Sequence, residues 1–154
     1  MAQEIERKFL IDLNLLGPLG TGTAIKQGYI PTRDKTTVRV RVMGEQAFLT
    51  LKGANKGAVR SEFEYPVPRA DAEQMLHELC AGPVIDKVRY RIPHHKHLWE
   101  IDIFRGDNAG LVVAEVELAS EHEAVSLPHW ITAEVTGDPK YYNSNLLHTP
   151  YKLW

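Results

Sequence analysis

Charged residues recur along this chain in pairs separated by one residue, and most pairs carry a single sign. The first instance is Glu4-x-Glu6-x-Lys8. In a β-strand these three side chains share one face, because successive side chains point to opposite faces. The later pairs are Arg39-x-Arg41, Thr50-x-Lys52, Arg60-x-Glu62-x-Glu64, Lys87-x-Arg89-x-Arg91, Glu100-x-Asp102 and Glu115-x-Glu117. Basic groups of this kind bind polyanions, and acidic pairs bind divalent cations.

The positions between the charges are mostly apolar, as in Val38, Val40 and Val42 around the first arginine pair. Alternation over so many segments predicts half-buried strands with one apolar and one charged face. Two architectures satisfy this pattern. An open sheet would expose its charged face to water, whereas a curled sheet would turn the charges toward each other across a polar lumen. Sorting by sign favours the lumen, because like charges on one strand face repel unless a ligand separates them.

The alternation predicts eight strands, and a change of period predicts a few helices. The strands are predicted over residues 3–11, 24–30, 36–42, 47–52, 59–67, 85–92, 98–104 and 111–118. Helical segments are predicted over residues 12–16 and 72–80, after Ser120 as far as Pro128, and over 143–148. The predicted fold is therefore mainly β, with some α+β character. It is an eight-stranded antiparallel β-barrel, closed or nearly closed, with a few covering helices.

Composition limits the class of protein. The 154 residues predict a single domain over residues 1–154, and 44% hydrophobic and 25% charged residues are typical of globular proteins. A net charge of −2 gives no general attraction to nucleic acid or anionic lipid, so neither a stable nucleic-acid partner nor a membrane partner is expected. Cys80 is the only cysteine, which excludes a disulfide framework. The charged start argues against a secretory segment, and a cytoplasmic location is predicted. The oligomeric state is left open.

The charged pairs, taken in this order, resemble the CYTH domain or triphosphate tunnel metalloenzyme family. The match runs from Glu4 to about Leu147, nearly the whole chain. Gln27-Gly28-Tyr29 and Leu49-Thr50-Leu51-Lys52 resemble the short bacterial tripolyphosphatase branch. The resemblance implies a barrel whose lumen binds a triphosphate together with a divalent metal ion.

The chemistry of a triphosphate agrees with the charges in the sequence. Its negative charges suit guanidinium and ammonium groups that converge from several strands. The predicted substrate-binding residues are Lys8, Arg39, Arg41, Lys52, Arg60, Lys87 and Arg89. The resemblance adds Lys140, beside the C-terminal helix.

Carboxylates supply the predicted metal site, because Mg²⁺ and Mn²⁺ prefer carboxylate oxygens and water. The favoured ligands are Glu4, Glu6, Asp102, Glu115 and Glu117. Glu62 and Glu64 come next, and Glu100 completes the candidates.

The predicted reaction is transfer of a phosphoryl group to water, with Mg²⁺ or Mn²⁺ as cofactor and a small-molecule triphosphate as substrate. The predicted catalytic residues are Lys8, Arg41 and Tyr29. Lys8 would compensate charge on the phosphate, whereas Tyr29 either steers water or simply packs inside the barrel. One alternative is a class IV adenylate cyclase that makes cAMP from ATP, although its branch carries a longer helix where residues 12–22 are short and broken by glycine. Another alternative is a binding module for polyphosphate or nucleotides without turnover, which would not need the acidic pairs.

Overall fold

The computed structural model describes residues 3–154, which form nine strands and two α-helices. The strands are β1 (Gln3–Ile11), β2 (Thr23–Ile30), β3 (Thr37–Met43), β4 (Gln46–Lys52), β5 (Val59–Pro66), β6 (Ala81–His94), β7 (His97–Phe104), β8 (Val112–Glu117) and β9 (Ile131–Glu134). The helices are α1 (Leu13–Leu16) and α2 (Arg69–Glu78). Short 3-10 helices cover Gly106–Asn108, Pro139–Tyr141, Asn143–Leu147 and Tyr151–Leu153. No helix in this part of the chain is long and apolar enough to cross a membrane.

Eight of the strands close into a barrel in which all neighbours are antiparallel. Their order is β5-β4-β3-β2-β6-β7-β8-β1, and β1 pairs with β5 to complete the ring. Only the first residues of β1 pair with β5, because its last residues pair with β9 on the same edge. The ninth strand therefore extends the wall beside β1 without enlarging the ring. The prediction of an eight-stranded closed antiparallel barrel is confirmed.

The outward faces of the strands carry the apolar residues, and the rest of the chain covers them. Phe9, Trp99 and Val116 are buried under a loop between β8 and β9 that contributes Trp130. On the opposite side, α2 packs on β3 and β4, with Ala72 fully buried against the wall. Burial of this outer face leaves the inward face to the charged residues.

The lumen is filled by apolar side chains at one end. Ile85, Phe104, Leu111 and Val113 point inward there and surround Leu146, which is 1% exposed. Leu146 belongs to the 3-10 helix Asn143–Leu147, so the C-terminal segment occupies this end of the barrel. The charges are thereby confined to the remaining part of the lumen.

The predicted short helix after Ser120 is wrong. Residues 118–130 form turns and irregular structure. The Glu123 carboxylate accepts a hydrogen bond from the backbone N–H of Ala119 at 2.7 Å and also contacts the His97 ring. These side-chain contacts hold a tight turn, and Asp and Glu that bond locally to the backbone compete with helix in this way. Strand β9 was not predicted, because four residues are too few to display alternation.

Candidate active site

The inward-facing charges line a narrow cavity of about 80 Å³. Its charged lining residues, which come from six strands, are Glu4, Glu6, Lys8, Arg39, Arg41, Lys52, Arg60, Lys87, Arg89 and Glu115. Seven of these ten are cations, so the cavity has the charge composition of a polyanion site. All the predicted substrate-binding residues except Lys140 meet here.

The narrow cavity adjoins a wider one of about 600 Å³. The two cavities share the lining residues Thr37, Asn55, Arg60, Tyr142 and Ser144. The wider cavity lies between the β2–β3 loop and the C-terminal segment. A ligand can therefore reach the charged lumen through the wider cavity, beside the apolar end of the barrel.

Several lumen cations are paired with carboxylates from distant parts of the chain. Lys52 Nζ lies 3.0 Å from a Glu4 oxygen and 3.2 Å from Glu62, and Lys8 Nζ lies 3.5 Å from Glu115. Burial raises the pKa of Glu4, but the Lys52 ammonium outweighs it and the net pKa is lowered. Glu62 has the opposite balance, since burial and the nearby Glu4 raise its pKa to about 7. The two carboxylates thus compete for one ammonium group.

Asp102 is buried and holds two cations at once. Its oxygens lie 2.7 Å from Lys87 Nζ and accept hydrogen bonds from Arg89 at 2.8 and 2.9 Å. Burial alone would raise the pKa of Asp102, but these two cations hold it well below its ordinary value. Burial, together with the Arg89 and Arg41 charges, lowers the pKa of Lys87 to about 7 despite the attraction of Asp102. Asp102, which we expected among the metal ligands, orients Lys87 and Arg89 in this structure.

Glu6 is the carboxylate of the cavity that has no compensating neighbour in direct contact. Within residues 3–154 no hydrogen bond or ion pair reaches its oxygens at ordinary distances. Burial raises its pKa well above the ordinary value, and the nearby Glu115 and Glu4 charges add to the effect. A half-buried carboxylate that repels two others is the kind of group that a divalent cation stabilises.

The donor set fits a hard divalent cation, although it is not a complete coordination shell. Glu4, Glu6 and Glu115 line the same cavity, while in residues 3–154 no group of three or more acidic, His or Cys side chains already has metal-binding spacing. Mg²⁺ commonly uses one or two carboxylates and completes its shell with water and substrate phosphates. Partial protein ligation of this kind therefore suits a site that also receives a phosphate chain.

Two neutral residues that the sequence analysis did not identify join the cations together. The Gln27 amide is fully buried, accepts a hydrogen bond from Arg41 Nε at 2.8 Å and donates at 2.9 Å to the Tyr29 hydroxyl. Gln27 also donates to Asn143, which accepts another hydrogen bond from Lys87 at 2.8 Å. Gln27 shares a strand face with Tyr29, and that spacing is a signal by which it could have been found. Asn143 lies in a 3-10 helix, where no alternation marks it.

Six predicted residues lie outside the cavity lining, and two of them, Glu62 and Asp102, form the ion pairs described above. Lys140 is exposed, and its ammonium lies 4.1 Å from the centre of the Trp154 ring, so its predicted contact with phosphate is not supported by its position. Glu64 instead accepts hydrogen bonds from Arg39 and Thr50, whereas Glu100 pairs with Arg89 and Arg91. The last is Glu117, an exposed residue opposite Glu6 across the β1–β8 pair.

Sequence comparison finds related proteins over nearly the whole chain. An inorganic triphosphatase of Acetivibrio thermocellus is 45% identical over 152 residues, which cover 99% of this chain and 97% of that protein. An inorganic triphosphatase of Nitrosomonas europaea is 36% identical over 148 residues, covering 93% of this chain and 95% of that protein.

Comparison with solved structures also finds an inorganic triphosphatase. A crystal structure of an inorganic triphosphatase superposes with a TM-score of 0.65 at 32% identity, covering 93% of this chain and 96% of that chain. The model of the CYTH domain matches residues 2–144, which include all eight strands of the barrel. This chain belongs to the CYTH domain family.

Proposed function

We propose that this protein hydrolyses a phosphoanhydride bond of inorganic tripolyphosphate in a metal-dependent reaction inside the barrel. The observation that carries the proposal is the closed lumen itself, where seven cations and the crowded carboxylates Glu4, Glu6 and Glu115 line one narrow cavity. A polyanion alone would account for the cations, and a polyanion with a divalent cation accounts for both signs. The two relatives named as inorganic triphosphatases support the same reaction.

Substrate binding requires an exchange of partners among the charges. In this structure Lys52 and Lys8 pair with Glu4 and Glu115. Phosphate oxygens are strong acceptors for ammonium and guanidinium groups and would take over Lys52, Lys8, Arg39 and Arg41. The released carboxylates, with Glu6, would hold Mg²⁺ or Mn²⁺, which polarises phosphoryl oxygens when it is bound.

The remaining lumen residues position the phosphate and the attacking water. Lys8 lies among the carboxylates, where it neutralises charge on the phosphoryl group that is transferred. Lys87 donates to Asp102 and Asn143, so its third N–H is available to a phosphate oxygen. The Tyr29 hydroxyl accepts a hydrogen bond from Gln27, so its own proton remains available to orient the attacking water.

A phosphate-release assay on purified protein tests this function. With Mg²⁺ or Mn²⁺ we expect faster release from tripolyphosphate than from ATP, little cAMP, and loss of activity with a chelator. If cAMP were the main product from ATP, the adenylate cyclase would replace the proposal. If tripolyphosphate bound but no phosphate were released with either metal, the protein would be a binding module. The cytoplasmic location and the absence of a nucleic-acid partner remain predictions from the sequence.

A further inference from the structure

The carbonyl oxygen of the Asn143 side chain lies where three strands of the barrel meet the C-terminal segment. It accepts a hydrogen bond from Lys87 Nζ on β6 at 2.8 Å and another from the Gln27 amide on β2 at 2.9 Å. Gln27 in turn accepts from Arg41 on β3. One neutral oxygen thus connects two lumen cations, Lys87 directly and Arg41 through Gln27.

These contacts restrict how Lys87 can move. Its ammonium has three N–H donors, of which one is directed to Asp102 at 2.7 Å and one to Asn143. Two fixed acceptors leave the third donor for the cavity, which Lys87 lines. Without Asn143 the ammonium would have a single strong acceptor, and its long side chain would regain rotational freedom.

The position of Asn143 is set by apolar packing at the end of the barrel. Three residues further along the same 3-10 helix, Leu146 is buried among Ile85, Phe104 and Leu111. A second contact lies just before this helix, where the Tyr141 carbonyl accepts a hydrogen bond from Lys8 Nζ at 3.3 Å. The C-terminal segment therefore holds two lumen cations while its apolar side closes the barrel end.

The neutrality of Asn143 is itself informative. A carboxylate at this position would hold the same cations, but it would neutralise part of their charge and repel a phosphate chain. An amide oxygen orients Lys87 without compensating any more of its positive charge than Asp102 already does. This combination of orientation without neutralisation is useful only where the cations must bind an anion.

From these contacts we infer that Asn143 is a positioning residue, through which the C-terminal segment orients Lys87 and Arg41 toward the bound triphosphate. The inference rests on the proposed function for its catalytic consequence. The orientation of Lys87 and Arg41 does not depend on turnover, and it can be tested through the binding of tripolyphosphate. Misplacement of a reacting group by about 1 Å costs roughly 100-fold in rate, so the effect of losing Asn143 is measurable.

The test compares three variants in two assays. The first measures hydrolysis of tripolyphosphate, and the second measures tripolyphosphate binding by calorimetry with Ca²⁺ in place of the activating metal. Asn143→Ala removes the acceptor, and we expect kcat to fall about 10-fold to 100-fold with a smaller change in KM. Asn143→Asp keeps an acceptor but adds a negative charge, so we expect KM to rise and tripolyphosphate binding to weaken more than in the alanine variant. Asn145→Ala is the matched control, because Asn145 lies in the same 3-10 helix but is exposed and bonds to the Pro139 carbonyl. It should behave like the wild type.

The outcomes separate positioning from a structural role. Equal losses in Asn143→Ala and Asn145→Ala, with equal falls in melting temperature, would mean that the segment matters only for folding and would overturn the inference. So would alanine and aspartate variants with the same kcat and KM as the wild type. If the wild type itself released no phosphate, the proposed function would fail, but weaker binding by Asn143→Asp than by Asn143→Ala would still support the placement of Asn143 at the anion site.

Discussion

Arg41 shows why the lumen cations serve function more than stability. It is 8% exposed, and its Nε–H donates a hydrogen bond to the neutral Gln27 amide. Burial and the neighbouring Arg39 and Arg89 charges lower its pKa to about 9. A buried guanidinium that faces other cations is unfavourable until an anion binds. The site therefore stores charge repulsion that a triphosphate relieves.

Replacing Lys8 or Arg41 by alanine should lower turnover of tripolyphosphate at least about 100-fold each, because one preorganised electrostatic contact is worth roughly 10²–10³ in rate. The melting temperature of Arg41→Ala should fall little, since Arg41 is a buried charge that faces other cations. Lys8→Ala leaves Glu115 unpaired, so its melting temperature should fall further. Arg69→Ala is the control, because Arg69 is exposed on α2 and does not line the cavity. Folded variants with near wild-type rates would show that these cations do not contact the substrate.

Helix α2 depends on a close approach to the barrel wall at Gly28. A Cβ atom there would lie 2.9 Å from Cys80 Sγ and 3.0 Å from both Cys80 Cβ and Leu76 Cδ2. The absence of a side chain therefore lets the helix lie directly against β2. Because Gly28 stands between Gln27 and Tyr29, this packing also sets the position of Tyr29 in the cavity and of Gln27, which bonds to Arg41.

Gly28→Ala should destabilise the protein by about 1–3 kcal/mol, the usual cost of forcing an extra carbon into a packed interface. Activity should fall as well, since β2 must shift to relieve the contact. Gly53→Ala is a suitable comparison, because its added Cβ would meet Ser61 at an ordinary 3.5 Å without a left-handed backbone. Denaturant unfolding measures the free energy of unfolding, and the phosphate-release assay measures the activity. Equal behaviour of the two variants would contradict the packing argument.

Closure of the barrel brings carboxylates of the neighbouring strands β5, β1 and β8 together, and their repulsion destabilises the folded protein. Glu6 has a pKa well above its ordinary value and Glu62 one of about 7. When the pKa of an acid is higher in the folded than in the unfolded state, the folded state binds more protons than the unfolded state at pH values between the two pKa values. The stability of the protein without metal therefore falls as pH rises from about 4.5 through about 7.

Mg²⁺ or Mn²⁺ should raise the melting temperature, because a ligand that binds only the folded state stabilises it. The rise should be larger above pH of about 7 than below it, since metal competes with protons at Glu6 and Glu62. Glu6→Gln should stabilise the metal-free protein and weaken the metal response, whereas exposed Glu45→Gln should change neither. The measurement is a set of melting curves with NaCl at matched ionic strength. A metal effect equal to that of NaCl would contradict the metal site.

The sequence by itself determined the strands, their two faces and the chemistry of the inner one. Alternation is a local property of a strand, so it assigned Glu4, Arg39, Lys87 and Glu115 to the charged face, and the sorting of charges by sign favoured a lumen over an open sheet. The same local signal found α2 from its change of period. It could not find β9 or the loop after Ser120, because a four-residue strand and a side-chain-held turn have no periodicity.

The tertiary structure decided which charges meet. Lys52 pairs with Glu4 across 48 residues of sequence, and Asp102 holds Lys87 and Arg89. Such pairings depend on the register and closure of the ring, which alternation does not encode. The C-terminal segment is the clearest case, since burial of Leu146 brings Asn143 into the cavity and leaves Lys140 outside it on Trp154. Contacts made by an irregular segment follow from packing, and packing exists only in the folded molecule.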